Sequence, residues 1–336
     1  MAFFYIWGMK LLLDFLRLVR FPNLAVIALT QYAIRYGIIL PFLLQAELDF
    51  YLTESTFALL VLATVMIAAA GYIINDYFDI KLDYLNKPNQ LVLGRSIKRR
   101  HAMLLHILIN AIGLLIAGYV AYSIGHPMLI LFQFVSAALL WYYSVSFKKQ
   151  LLIGNLIIAS LTALVPFTAG YYEVAVMFDN LPDLTGMQGN VDLIENLASL
   201  LFSIKFLLYW IIGYSLFAFL LTFIREIVKD IEDIEGDKAF DCKTMPIVFG
   251  IPAAKKAAIF IALVTLIGLL FLEVVQFIGG DWISLAYFTI LLTLPICWII
   301  YRILKAQKKR HYFTISQAIK IVMLFGVLYT SIIYFY

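Results

Sequence analysis

Residues 55–83 read STFALLVLATVMIAAAGYIINDYFDIKLD. An apolar run long enough to cross a membrane ends abruptly on Asp76, Asp79 and Asp83, spaced D-x2-D-x3-D. The pattern returns once. Asp230, Asp233 and Asp237 close another apolar run, each 154 positions after its counterpart. On a helix, offsets of 0, 3 and 7 fall within about 60° of one face at ~100° per residue. Three carboxylates on one face repel unless a cation holds them, and the negative end of the helix dipole sharpens that demand. The sequence asks for divalent cations at two places.

Of the 336 residues, 64% are hydrophobic and 14% charged, with mean hydropathy +0.95. Soluble domains hold roughly 45–50% apolar and 25% charged residues, so this is an integral membrane protein. The expected class is all-α, one membrane domain over 1–336, with the lipid bilayer as partner and no nucleic acid. Crossing the bilayer takes about 20 apolar residues. Nine segments qualify: 22–46, 55–80, 103–124, 126–146, 151–172, 201–228, 253–275, 282–304 and 313–335. Residues 1–21 lack a cleavage site and carry Lys10, Asp14, Arg17 and Arg20 among apolar neighbours, which predicts an interfacial amphipathic helix. Residues 173–200 are expected to form the longest external loop. Cys242 and Cys297 have neither metal-ligand spacing nor a setting suited to a disulfide.

The loops sort by charge. One side collects 22 of the 25 lysines and arginines, leaving Arg35, Lys205 and Lys320 inside spans. The other side carries Glu47, Asp49, Glu54, Glu173, Asp179, Asp183, Asp192, Glu195 and Asp281 with no basic residue. The positive-inside rule puts the N-terminus and both aspartate motifs on the cytoplasmic side of the cell membrane, and Tyr336 outside. Arg35 lies inside the first span, where it serves function, snorkels or pairs with an acid.

Two facing carboxylate clusters suit two or more magnesium ions, which favour carboxylates together with substrate phosphates. Metal held on a diphosphate neutralises the charge that grows as it leaves. Lys87, Arg95, Lys148, Lys149 and Lys243 add cations suited to phosphate on the same side. A lipid-soluble diphosphate fits, its head at the interface and its tail in the bundle. A merely solvated acidic loop explains either motif alone, but not their repetition at matching helix ends. A magnesium-linked transporter is the rival class; transporters favour midplane sites and inverted repeats, whereas this repeat is parallel.

These motifs resemble those of the UbiA superfamily of intramembrane prenyltransferases. Asn75-Asp76-x2-Asp79-x3-Asp83 is similar to that family's first motif, and Asp230-x2-Asp233-x3-Asp237 to its second. Arg20-Phe21-Pro22-Asn23, Asn86-Lys87-Pro88, Tyr143-Ser144 before Lys148, Gly154-Asn155 and Lys243-Thr244-x-Pro246 also match. The resemblance implies a nine-helix bundle around a central cavity open toward the cytoplasm. It implies magnesium-dependent transfer of a prenyl group from a prenyl diphosphate donor to a lipophilic acceptor. The six aspartates would be the catalytic metal ligands, and Asn23, Asn75, Lys87, Arg95, Tyr143, Lys148 and Lys243 would bind substrate. Residues 225–233, REIVKDIED, most resemble the members that alkylate the glycerol hydroxyl of geranylgeranylglycerol phosphate. The run Asn89-Gln90-Leu91-Val92-Leu93-Gly94-Arg95 departs from an arginine-proline-rich pattern common there, leaving an aromatic quinone or pigment precursor as the alternative acceptor. Prenyl length and oligomeric state stay open.

Overall fold

A computed structural model describes residues 10, 12–46, 48–86, 92–94, 96–180 and 191–335. Among them, nine helices are long and apolar enough to cross a membrane, one on each predicted segment. They are α1 (Phe21–Gln45), α2 (Glu54–Asn86), α3 (Arg99–Ser123), α4 (Pro127–Val145) and α5 (Ile153–Asp179). There follow α6 (Val191–Glu232), α7 (Ile251–Gly279), α8 (Trp282–Lys305) and α9 (Lys309–Tyr334). Among the described residues the remaining pairing is one isolated bridge, Leu93 with Ile97. The all-α, nine-span expectation holds.

Two spans contain a proline that the helix absorbs by widening. Pro41 follows a π-turn over Arg35–Ile39, and Pro295 follows one over Phe288–Thr293. Leu40 N–H reaches back to the Arg35 carbonyl, and Leu294 N–H to that of Thr289. Proline lacks the N–H for its own turn and crowds the carbonyl before it, so a wider turn relieves both.

The spans close on themselves. α2 packs on α3 and α4, α5 on α6, and α6 on α7 and α9, while the end of α9 returns to α1. That return is tight: a Cβ at Gly37 would stand 2.6 Å from the Thr330 carbonyl oxygen. One apolar core joins α6 to α9 through Leu221, Ile224, Ile227, Ala258, Ile296 and Ile315. A second joins α1, α2, α5 and α6 at the opposite end from the aspartates, around Ile39, Leu43, Phe57, Tyr172 and Ile211.

Two expectations need correction. The segment 173–200 is not one long loop, because α5 runs on to Asp179 and α6 begins at Val191. Glu173 interrupts the apolar run, but it is fully buried and neutralised, so the helix continues through it. Nor does 1–21 simply lie on the interface. Residues 12–18 are helical; Leu12 and Leu13 are exposed, whereas Leu18 and Val19 are buried against Leu24, Ile73 and Leu93. Residues 1–9 lie outside the described residues.

Glu173's partner is Arg35, also fully buried. The guanidinium donates to Glu173 at 3.2 Å, Glu54 at 3.0 Å and the Leu52 carbonyl at 2.7 Å. It also lies over the rings of Phe50 and Phe57, 3.9 and 4.5 Å from their centroids. Glu173 in turn accepts the backbone N–H groups of Tyr51 and Leu52. Of the three readings, pairing with an acid is correct: this network ties α1, the 46–53 connection and α5 together. Removing one partner of a buried pair strands the other charge, at a cost of about 3–5 kcal/mol. Glu173→Ala should therefore lower stability in detergent by that order. Glu54→Ala, whose side chain is 61% exposed, should cost about 1 kcal/mol or less. Equal losses in chemical unfolding would contradict the assignment.

Candidate functional site

Both aspartate motifs lie at one end of the bundle, with α2 packed against the short helix Ile234–Ala239 that follows α6. Asp76 and Asp79 stand on α2, which continues to Asn86. The second motif is different. α6 ends at Glu232, Asp233 is non-helical (φ −98°, ψ 10°), and Asp237 belongs to the next short helix. The expectation of one continuous helical face therefore fails at Asp233. Gly236, a poor helix former, is buried in the short helix, and the turn re-aims Asp237 toward the first motif.

Four of the described carboxylates have a partner from a distant element. Asp76 accepts from Arg20 at 2.9 Å and also from Asn75. Asp79 pairs with Lys148 from the α4–α5 connection, both side chains largely buried. Asp230 accepts from Asn155 of α5 at 2.8 Å. Asp233 stands 3.8 Å from Lys309 at the start of α9, and its buried Oδ1 has no hydrogen bond. Burial, with Asp233 and Asp79 alongside, pushes the Asp237 carboxyl up to about 6. Among the described residues, no three His, Cys, Asp or Glu side chains yet converge as a metal cage.

Tyr143 on α4 stands between the motifs, within the electrostatic reach of Glu226, Asp230, Asp79 and Arg20. Asn23 donates to the Tyr72 hydroxyl at 3.3 Å, and Arg20 lies over the same ring. Lys243 joins by its backbone: its N–H bonds the Lys149 carbonyl at 2.8 Å, while its side chain is exposed. Lys87, Arg95 and the side chain of Asp83 lie outside the described residues. Arg20, Asn155, Glu226 and Lys309 complete the site without having been singled out as site residues. Arg20 and Asn155 lay within the family-like runs; nothing local marked Lys309, which reaches Asp233 from 76 positions away.

The strained backbone collects here too. Among the described non-glycine residues, Arg20, Leu152 and Asp241 have left-handed φ values of 53°, 57° and 55°. Each costs about 1–2 kcal/mol and re-aims a segment of this site. Gly154 allows the closest approach, since a Cβ there would meet Lys148 Cα and the Phe147 oxygen at 3.0 Å.

Residues 33–328 match the family model for the UbiA prenyltransferase family. The chain belongs to the UbiA prenyltransferase family. It is a membrane-spanning prenyltransferase. It is 32% identical over 273 residues to the digeranylgeranylglyceryl phosphate synthase of Thermococcus sibiricus, covering 81% of this chain and 82% of that protein. With the protein of the same name from Saccharolobus solfataricus the identity is 31% over 309 residues, covering 90% and 92%. Solved structures agree in fold. One, of a digeranylgeranylglyceryl phosphate synthase in membranes, superposes with TM-score 0.58 at 23% identity over 96% of this chain and 98% of that one. A UbiA homolog from Archaeoglobus fulgidus bound to DMAPP and Mg2+ gives 0.54 at 18%, over 95% and 99%.

Lys148 sits against Asp79 and also acts electrostatically on Asp237. Lys148→Met should destabilise the metal-free protein by about 2–4 kcal/mol, because it strands a largely buried carboxylate. Millimolar Mg2+ should then raise its Tm more than it raises that of the wild type. An equal or smaller rise would show that the carboxylates do not share one cation site.

Proposed function

We propose that this chain transfers a geranylgeranyl group from its diphosphate to the glycerol hydroxyl of geranylgeranylglycerol phosphate, using magnesium held between the two aspartate motifs. The observation that carries this reading is that Asp76, Asp79, Asp230, Asp233 and Asp237 all lie at one end of the bundle, with α2 packed on the short helix that carries Asp237. Relatives at 31–32% identity over most of both chains bear the digeranylgeranylglyceryl phosphate synthase name. A fold neighbour was solved with DMAPP and Mg2+. The donors fit such an ion: all are hard carboxylate oxygens, one buried Asp233 oxygen lacks a hydrogen bond, and burial beside Asp233 and Asp79 raises the Asp237 carboxyl, a crowding that a divalent cation would relieve. Asp83 completes the first motif in this reading.

When bound, two or more magnesium ions would neutralise the diphosphate as it leaves. The residues of this chain do the rest. Asp76, Asp79 and Asp83 hold one side of the metal-bound head group, and Asp230, Asp233 and Asp237 the other. Asn75 and Asn155 orient Asp76 and Asp230. Lys148, and in this reading Lys87, Arg95 and Lys243, supply positive charge to the diphosphate oxygens. Tyr143 and Asn23 border the reacting end. The donor's allylic C–O bond breaks, diphosphate leaves with the electron pair, and the acceptor hydroxyl oxygen bonds to the allylic carbon while giving up its proton. The charge asymmetry supports a site opening toward the cytoplasm. Family membership sets the transporter reading aside, while an aromatic acceptor stays as the second outcome of the test.

Purified protein with Mg2+ and geranylgeranyl diphosphate, offered geranylgeranylglycerol phosphate, hydroxybenzoate and dihydroxynaphthoate, should yield the doubly prenylated glycerol phosphate by mass spectrometry. A prenylated aromatic instead would overturn the acceptor. Asp76→Asn and Asp230→Asn should each lower turnover by about a thousandfold or more, the loss of several kcal/mol of electrostatic stabilisation, with the fold intact in membranes. Excess chelator should abolish activity. Near-normal turnover in either variant would remove the two-motif mechanism.

A further inference from the structure

Lys320 lies well inside the last span, and neither Arg35's network nor the aspartate motifs absorb it. It lies on α9, which begins at Lys309 beside Asp233 and runs antiparallel to α6 against which it packs. Eleven residues along α9, about 16 Å at 1.5 Å per residue, Lys320 stands roughly level with the residue 11 before Asp233, namely Thr222. The charged groups that act on it are Arg225, Lys229, Arg20 and Glu226.

The facing side of α6 is polar at helical spacing: Thr222, Arg225, Glu226 and Lys229 occupy offsets 0, 3, 4 and 7. Two of its atoms are buried without a hydrogen-bond partner, Thr222 Oγ1 and Arg225 Nε, and Thr222 itself is only 2% exposed. Glu226 receives Arg225 at 2.6 Å and Lys229 at 3.5 Å. Arg20 is engaged with Asp76, and Asp230 with Asn155. Arg225 and Lys229 thus lean on Glu226, and Lys229 also on Asp230 and Asp237, whereas Lys320, deeper in the bundle, forms no salt bridge among the described residues and leaves this stretch with a surplus of positive charge. Such a surplus is costly unless an anion is bound there. A phosphomonoester carries about −1.5 to −2 charge and three strong acceptor oxygens, which would answer Lys320 and take up the idle Thr222 and Arg225 donors.

We propose that Thr222, Arg225, Lys229 and Lys320 form a pocket for the phosphomonoester of the acceptor lipid, separate from the metal-held diphosphate of the donor. The inference rests on the reading that the acceptor carries a phosphate. The pocket lies on the stripe of α6 adjoining Asp230 and extends inward from it, so it fixes the acceptor by its head group beside the reacting end. It also gives this enzyme a reason to refuse acceptors without phosphate, because an unfilled pocket leaves Lys320 without a salt bridge and the Thr222 and Arg225 donors without an acceptor.

The test has a binding arm and a kinetic arm. In detergent, a monoalkylglycerol phosphate should raise the Tm of the wild type. The unphosphorylated monoalkylglycerol, a phosphodiester lipid and inorganic phosphate should raise it much less. Lys320→Met and Thr222→Val should lose that rise, keep the rise given by Mg2+ with geranylgeranyl diphosphate, and Lys320→Arg should restore it. In turnover, Lys320→Met should raise KM for geranylgeranylglycerol phosphate about tenfold or more and leave KM for the donor within about twofold. A phosphate-lipid shift that survives both variants, or that the phosphodiester lipid reproduces, overturns the pocket. So does a KM increase that falls equally on the donor. A wild type that shows the Lys320-dependent shift yet prenylates only aromatics refutes the acceptor assignment and leaves the phosphate site standing.

Discussion

Carboxylates gathered at the end of a membrane bundle set the terms for everything around them. Like charges this close cannot stay ionised without cations, and a helix end that also carries the negative pole of the backbone dipole makes the demand stronger. The fold meets it by importing basic and amide groups from the chain's far reaches. Arg20 comes from before α1, Lys148 from the α4–α5 connection, Asn155 from α5 and Lys309 from α9. One electrostatic problem thereby ties these four segments to α2 and the end of α6. Under the proposed function the same cations would serve a diphosphate head group.

The opposite end of the bundle solves a different problem. There Arg35, Glu173 and Glu54 are mutually neutralised, with aromatic rings over the guanidinium and backbone donors on the carboxylate. Nothing in that network is idle. At the aspartate end a buried Asp233 oxygen, a buried Thr222 hydroxyl and Arg225 Nε have no hydrogen bond, and three non-glycine residues hold left-handed backbone. Satisfied charge at one end and unsatisfied charge with strain at the other separate the anchoring end from the working end.

Much of this was legible in the residues. The apolar runs placed the nine spans because each is nearly uninterrupted, and the duplicated D-x2-D-x3-D marked the site because such spacing has no packing purpose at a membrane edge. What sequence could not supply were pairings between distant segments. Glu173 reads as the end of a span until Arg35 is seen beside it, and that is why α5 extends beyond 172. The two motifs read alike, yet α6 stops at Glu232 and Asp237 turns on a separate helix, a break that the shared spacing conceals. Lys309 looks like one loop cation among many and Lys320 like a lone charge in the last span; only the antiparallel packing of α9 on α6 brings Lys309 to Asp233 and Lys320 level with Thr222.

The central claim is that both motifs act on one metal-bound diphosphate. Mn2+ binding, followed by the electron paramagnetic resonance of the free ion with geranylgeranyl thiodiphosphate present, tests it most directly. The account predicts at least two ions per chain in the wild type, with a loss of affinity whether Asp79 or Asp233 is replaced by asparagine. Unchanged Mn2+ binding after either replacement would mean that one motif holds the metal alone, and the shared site would have to be abandoned.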